Sequence, residues 1–344
     1  MKINELGEFG LIDRIARMLP AASSSVVVGI GDDVAVLKHQ DGSYLLATCD
    51  IQVENVHFLA EKITPYQLGR KIVAINVSDI AAMGGSPDWA LVSLALPHHK
   101  EIDFVDDLYR GMQDQIEAAA AGIVGGNMSG TQNDIVVDLF LLGSVAPEHL
   151  ICRDGAKQGD LIMVTGTLGD SRAGFGLISD QRLVVSENAR RHATEKHLTP
   201  QPRLLEGQML GRCGKVHAMA DVSDGLLGDL RHICRASRVG AEIWGLDIPV
   251  GEACLEVAAA SGAEGLEWAL TGGEDYELVF TAAPGAVKEI EAMLLNETGT
   301  SSRVIGRVVS AEDAIRVLFA DGSDSTRNYL RSGWDHLAEN TRKD

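Results

Sequence analysis

The stretch VVVGIGDDVAVL, Val26 to Leu37, sets two adjacent carboxylates, Asp32 and Asp33, in the middle of an apolar run that reads as a buried strand. An isolated carboxylate is costly to bury, so such groups are solvated, paired or bound to a cation. Four further motifs impose the same requirement: ATCD (Asp50), NVSD (Asp79), ADVSDG (Asp221, Asp224) and TGGEDYE (Glu274, Asp275). Each ends an apolar segment or lies in a glycine-bearing turn, where functional side chains are commonly carried. Aspartate and serine also cap helices, and Ser78, Ser223 and Asp224 each fit that simpler role. Taken singly, a motif reads as a cap or turn. Taken together, the five read as a convergent set of oxygen ligands for hard cations, which bridge carboxylates to substrate phosphates. Asp79 stands four residues beyond Ile75, at the buried end of a helical apolar stripe, where a carboxylate needs a partner.

The length of 344 residues predicts two domains, and a hydrophobic fraction of 45% supplies their cores. Forty-nine acidic against thirty basic residues give a formal charge of −19, which repels nucleic-acid backbones and anionic membranes. Neither is expected as a partner, although carboxylates that recruit divalent cations can still bind a polyanion. The five cysteines have no C-x-x-C or zinc-like spacing. The N-terminal segment lacks the apolar core of a signal peptide, and no run reaches the ~20 apolar residues of a membrane span. A cytoplasmic protein with reduced thiols is expected.

Apolar periodicity predicts a helix ending near Pro20, strands over Val26 to Leu37 and Tyr44 to Val53, and a helix opened by Thr64 and Pro65. A strand from Trp89 to Leu96, a helix from Phe104 to Ala121, a short strand at Ile123 and Val124 running into GGN, and a strand from Ile135 to Val145 follow. This mixed order fits an α+β arrangement better than a doubly wound sheet. The turn-rich segment 146–160 marks a domain boundary, dividing the chain into 1–148 and 149–344. Gly125 and Gly126, and the run Gly166, Gly169 and Gly174, suit either tight turns or backbone amides that approach phosphate oxygens. A P-loop is missing, because Gly214 and Lys215 are followed by Val216, and Gly29-Ile30-Gly31 lacks the third glycine of a dinucleotide fingerprint.

In order along the chain, GIGDDVAVL, CDIQVENVHF, NVSDIAAMGGSPDWALVSLALP, GGN, CRDGAKQGD, VTGTLGDSRAG, ADVSDGL, LTGGEDYELVF and SGWDH resemble the thiamine-monophosphate kinases, members of the aminoimidazole ribonucleotide synthetase superfamily. The resemblance spans nearly the whole chain. It implies a two-domain α+β fold whose N-terminal domains pair in a homodimer, and magnesium-dependent transfer of the γ-phosphoryl of ATP to thiamine monophosphate. Carried over position by position, it makes Asp33, Thr48, Cys49, Asp50, Asp79, Asn127, Asp221 and Asp224 the metal-site residues, with Asp221 and Asp224 catalytic. It assigns Gly125, Gly126, Asn127, Arg153 and Ser223 to ATP, and His57, Glu274 and Trp334 to the thiamine substrate. Asp33 is the expected ligand of the adjacent pair, with Asp32 structural. Trp334 either stacks on the thiazolium or pyrimidine ring or packs the C-terminal tail.

Two positions depart from the family pattern. GGNM stands where the family has GGDT, so neutral Asn127 replaces a metal-binding aspartate. Thr48-Cys49-Asp50 stands where the family has a second hydroxyl residue before the aspartate. Cys49 is harmless if its backbone carbonyl serves and damaging if the missing hydroxyl is the ligand. The departures also admit a paralogue with another acceptor, or a non-catalytic nucleotide-binding protein, the latter disfavoured by so many acidic motifs.

Overall fold

The computed structural model describes residues 3–20, 23–310, 314–319 and 321–329. Its first half is built on a sheet of strands β1 (Val26–Val28), β2 (Ala35–Lys38), β3 (Tyr44–Val53), β4 (Ser86–Pro97), β5 (Gly122–Thr131) and β6 (Val136–Val145), in the order β1-β2-β3-β6-β4-β5. Pairing is antiparallel except between β4 and β5, which run parallel because helix α3 (Ile102–Ala118) carries the chain back between them. Helix α1 (Ile3–Met18) precedes the sheet.

Helix α2 (Pro65–Ala82) is the organising element. Thr64 accepts from the Gln67 amide and Gln67 reaches back to the Thr64 amide, a reciprocal cap with proline at the first helical position. Its residues Leu68, Ile72 and Ile75 join Leu46, Val92 and Leu139 of the sheet in one core. On its other side α2 meets the second half of the chain, so Lys71, Asn76 and Ser78 are buried as well. A helix covered all round in this way carries its polar residues into the interior.

The second half holds another sheet, of strands β7 (Leu161–Thr165), β8 (Val216–Asp221), β9 (Gly240–Trp244), β10 (Leu278–Ala282), β11 (Ser302–Val309) and β12 (Ile315–Leu318), in the order β12-β9-β11-β7-β10-β8. Around it lie α4 (Asp170–Ser179), α5 (Glu187–Leu198), α6 (Leu204–Cys213), α7 (Leu226–Ser237), α8 (Glu252–Ser261), α9 (Gly265–Thr271) and α10 (Val287–Thr298), with α11 (Thr326–Tyr329) last among the described residues. Two sheets with helices in mixed order make the fold α+β, as expected.

Three local readings need correction. Val26 to Leu37 is not one strand. It is a hairpin, β1 against β2, whose connecting loop holds Asp32 and Asp33. The pair of carboxylates thus lies outside the ladder, which removes the conflict posed by its apolar neighbours. The short strand at Ile123 does not stop before GGN; Gly125, Gly126 and Asn127 lie inside β5, paired with Leu91, Val92 and Ser93. A methyl group added at Gly126 would come within 2.0 Å of the Val92 carbonyl oxygen, so close strand packing accounts for that glycine. Nor is the Gly169 amide left for a phosphate, since it donates to Asp275 at 2.7 Å.

Candidate active site

Four segments far apart in sequence converge between α2 and the two sheets. The β1–β2 loop brings Asp32 and Asp33, β3 brings Thr48 and Asp50, the last turn of α2 brings Ser78 and Asp79, the end of β8 brings Asp221, and the turn after it Ser223 and Asp224. Carboxylate oxygens of Asp33, Asp79 and Asp221 all lie within 4.8 Å of one another. The helix-cap reading fails at all three positions considered. Ser78 is internal to α2, and Gly225 rather than Ser223 or Asp224 stands at the N-cap of α7.

Hydrogen bonds fix this group from both halves. Thr48 Oγ1 donates to Asp79 Oδ2 at 2.6 Å, and Ser78 Oγ donates to Asp221 Oδ2 at 2.6 Å, tying α2 to β3 and to β8. The Arg153 guanidinium reaches Asp33 through Nε at 3.2 Å and through Nη2, while the Arg153 amide donates to Asp32 Oδ2 at 3.0 Å. Asp32 also accepts from the Asp33 amide at 3.0 Å, so it shapes the loop that presents its neighbour. Asp229, which the sequence reading passed over, accepts from the amides of Ser223 and Asp224 at 3.1 and 3.2 Å and holds the turn.

Burial dominates the electrostatics. It pushes Asp33, Asp50, Asp221 and Asp224 up to about 6, with repulsion among the carboxylates adding to it and Arg153 opposing it at Asp33, Asp221 and Asp224. Asp79 and Asp229 are driven well above the ordinary range for the same reason. Asp221 Oδ1 is buried without a hydrogen-bond partner. A group of close carboxylates with one orphaned oxygen fits a hard divalent cation, which would take oxygen ligands and relieve the repulsion.

Cys49 does not contribute its thiol to this group. Side chains alternate along β3, so Thr48 and Asp50 face α2 while Cys49 is exposed on the opposite side of the sheet. Asn127 and the neighbouring Gly125 and Gly126 are exposed on the edge strand β5.

A second polar cluster adjoins the carboxylates. The Glu274 amide donates to the Ser223 carbonyl at 2.7 Å, and the Tyr276 amide to the Val222 carbonyl at 2.9 Å, so the TGGEDYE loop lies against the VSDG turn. Gly273 permits this, because an added methyl group would stand 2.4 Å from the Ser223 carbonyl oxygen. Glu274 pairs with Lys71 of α2 at 2.7 Å, and Nδ1 of His197 of α5, an imidazole whose pKa burial and Lys71 push down to about 4, stands 3.3 Å from its other oxygen. Burial acts to raise the Glu274 pKa, but Lys71, His197 and His57 outweigh it and hold the carboxyl below its usual range. His57, in the loop after β3, accepts from the Val53 amide through Nδ1 at 3.1 Å. Predicted substrate residues His57 and Glu274 are therefore neighbours, whereas Trp334 lies outside the described residues. Lys71 and His197 were missed, although Lys71 stands three residues after Leu68 and four before Ile75, on the apolar stripe of α2.

Residues 31–145 match the AIR synthase related protein, N-terminal domain, and residues 157–318 its C-terminal domain. The chain is 37% identical over 337 residues to thiamine-monophosphate kinase of Aquifex aeolicus (strain VF5), covering 98% of this chain and 100% of the relative. With the Escherichia coli (strain K12) thiamine-monophosphate kinase it shares 35% over 335 residues, 96% of this chain and 98% of the relative. Among solved structures, AaThiL complexed with AMPPCP and TMP superposes with a TM-score of 0.83 at 35% identity, covering 98% of this chain and 99% of that one.

Proposed function

Because the chain belongs to the thiamine-monophosphate kinase family of AIR synthase related proteins, we propose that it transfers the γ-phosphoryl of ATP to thiamine monophosphate, forming thiamine diphosphate and ADP. The observation that carries this reading is the meeting of Asp33, Asp79 and Asp221 within 4.8 Å at the junction of the two halves. In the transfer, a phosphate oxygen of the acceptor bonds to the γ-phosphorus. The bond from that phosphorus to the β,γ-bridging oxygen breaks, and ADP leaves with the electron pair. The acceptor oxygen is already ionised at neutral pH, so no strong general base is required of the chain. The barrier is the approach of two anions in line.

Asp33, Asp50, Asp79 and Asp221 would hold magnesium ions, with Thr48, the backbone at Cys49, Asn127 and Asp224 completing the sites. Bound there, the ions would neutralise and orient the two phosphates. Asp221 and Asp224 lie nearest the transfer in this reading. Arg153, Ser223, Gly125, Gly126 and Asn127 are assigned to ATP, and His57, Glu274 and Trp334 to the thiamine moiety. Arg153 suits its role because its guanidinium sits beside Asp33 and, with Nε and Nη2 on that carboxylate, keeps Nη1 to donate to a phosphate oxygen.

The division into 1–148 and 149–344 is retained as part of this proposal. A homodimer formed through the first sheet is supported by the exposed apolar side chains Ile51, Trp89, Leu91 and Val124 on β3, β4 and β5. A cytoplasmic site of action agrees with five cysteines that form no disulfide and with the described residues, among which no helix is long and apolar enough to cross a membrane.

The test is ADP release from ATP and magnesium in the presence of thiamine monophosphate, thiamine, or neither. Release that needs the monophosphate and matches thiamine diphosphate formed is the expected result. ATP binding with no stimulation by either thiamine compound would overturn the acceptor assignment and favour a diverged paralogue.

A further inference from the structure

The Lys71–Glu274 pair is unusual in three respects. Lys71 is only 1% exposed, yet its partner keeps 30% of its side-chain surface open. The pair also joins the two halves of the chain, since Lys71 belongs to α2 and Glu274 to the loop before β10. And the loop is strained: Glu274 has φ +67° and Tyr276 φ +50°, a region that non-glycine residues rarely adopt. Such strain persists only where surrounding contacts enforce it, and it gathers at functional sites. A buried ion pair is by itself weak grounds for stability, so holding the fold together is a poor explanation for it.

The surrounding contacts fix the direction of Glu274. Asp275 is anchored on the opposite side by the amides of Gly169 and Ser171 at 2.7 and 3.2 Å. The amides of Glu274 and Tyr276 are held by the VSDG segment. Lys71 Nζ takes Oε1 of Glu274, and His197 Nδ1, itself 3.1 Å from Ser171 Oγ, stands 3.3 Å from Oε2. Lys71 thereby occupies Oε1 from the inside, and the exposed part of the carboxylate is left to accept hydrogen bonds.

We infer that Lys71 is a positioning residue for the acceptor substrate: by clamping Oε1 from within the protein, it aims the open edge of Glu274 at hydrogen-bond donors on the organic portion of the acceptor, such as the amino group of an aminopyrimidine. The inference rests on the reading that Glu274 faces the acceptor. Lys71 acts through Glu274 and does not touch ATP, so its loss falls on acceptor binding and spares nucleotide binding.

The experiment compares Lys71→Met, Lys71→Arg, Glu274→Gln and the double variant with the parent protein, measuring KM for thiamine monophosphate, KM for ATP, and kcat. Lys71→Met raises KM for thiamine monophosphate at least about tenfold, as expected for loss of one charge-assisted contact, while KM for ATP and kcat stay within about threefold. Lys71→Arg recovers most of the loss. In the Glu274→Gln background, Lys71→Met adds less than about twofold. Should Lys71→Met fail to fold, Lys71→Gln is measured against the same expectations.

An unchanged KM for thiamine monophosphate in the Lys71 variant, beside a raised one in Glu274→Gln, would overturn the inference alone. Equal increases for ATP and thiamine monophosphate would do so too, by pointing to a general loss of structure. If Glu274→Gln itself leaves the acceptor KM unchanged, the placing of Glu274 against the acceptor fails and the inference falls with it.

Discussion

Replacing Asp221 by asparagine removes one charge from the crowded carboxylates without changing the shape of the side chain. Asp221 is 1% exposed, and burial, partly offset by the Ser78 hydrogen bond and Arg153, raises its pKa from 3.8 to about 6. The folded protein therefore holds this proton more tightly than the unfolded chain does. Stability from this group is highest below about pH 4, falls as pH rises through the interval up to about 6, and carries its full penalty above. A shift of roughly 2 units corresponds to a cost of about 3 kcal/mol at pH 8. In EDTA at pH 8, Asp221→Asn should consequently melt higher than the parent protein, by roughly 5 °C for a chain of this size. The advantage should vanish near pH 4, where both side chains are neutral. Magnesium should reverse the order, because an ion bound only by the folded state stabilises it by mass action and the variant has lost a ligand. Thermal unfolding at pH 4 and pH 8, with EDTA or with magnesium, checks all three statements. If the variant melts below the parent at pH 8 in EDTA, Asp221 is not the destabilised carboxylate described above and the metal-site reasoning loses its basis.

Asp79→Asn should abolish ATP-dependent phosphoryl transfer, a loss of about 10³-fold or more, while its circular dichroism spectrum stays that of the parent; normal turnover at limiting magnesium would remove Asp79 from the ligand set. Arg153→Met leaves the buried Asp33 without its guanidinium and should cost about 3 kcal/mol or more in urea unfolding of the metal-free protein, together with a raised KM for ATP. Asn127→Asp should lower the magnesium concentration needed for half-maximal rate; if both that concentration and kcat are unchanged, position 127 is not a ligand in this chain. Gly126→Ala should destabilise the first half by roughly 2 kcal/mol or more, read by the same urea transition, because the added methyl group meets the Val92 carbonyl oxygen.

The elements that periodicity could announce are where it placed them. Strand β3 begins and ends at the expected Tyr44 and Val53, and α2 opens at the expected Thr64 cap, because a largely apolar run and a Thr-Pro helix start are signals contained in neighbouring residues. The carboxylates Asp33, Asp50, Asp79, Asp221 and Asp224 were legible as a set because each interrupts or ends an apolar segment, where an unpaired charge is expensive. The GIGDD loop was misread because valines on both sides of it have the pattern of one strand. Only the pairing of Val26 with Leu37 reveals the hairpin. Asp229 was overlooked for a related reason: in sequence it is an ordinary first-turn residue of α7, and only the folded turn puts the amides of Ser223 and Asp224 against it.

What the amino-acid sequence determined by itself is therefore local: the strands and helices, their caps, and the identity of the costly side chains that demanded a partner. What only the tertiary structure decided is which partners they found. Arg153 met Asp33 across 120 positions, Ser78 met Asp221 across 143, and Lys71 met Glu274 from the other half of the chain. The last two depend on how α2 is enclosed between two sheets and the first on how the β1–β2 loop meets the segment before β7, and no periodicity records that, because the energy of a buried charge depends on everything that surrounds it in space.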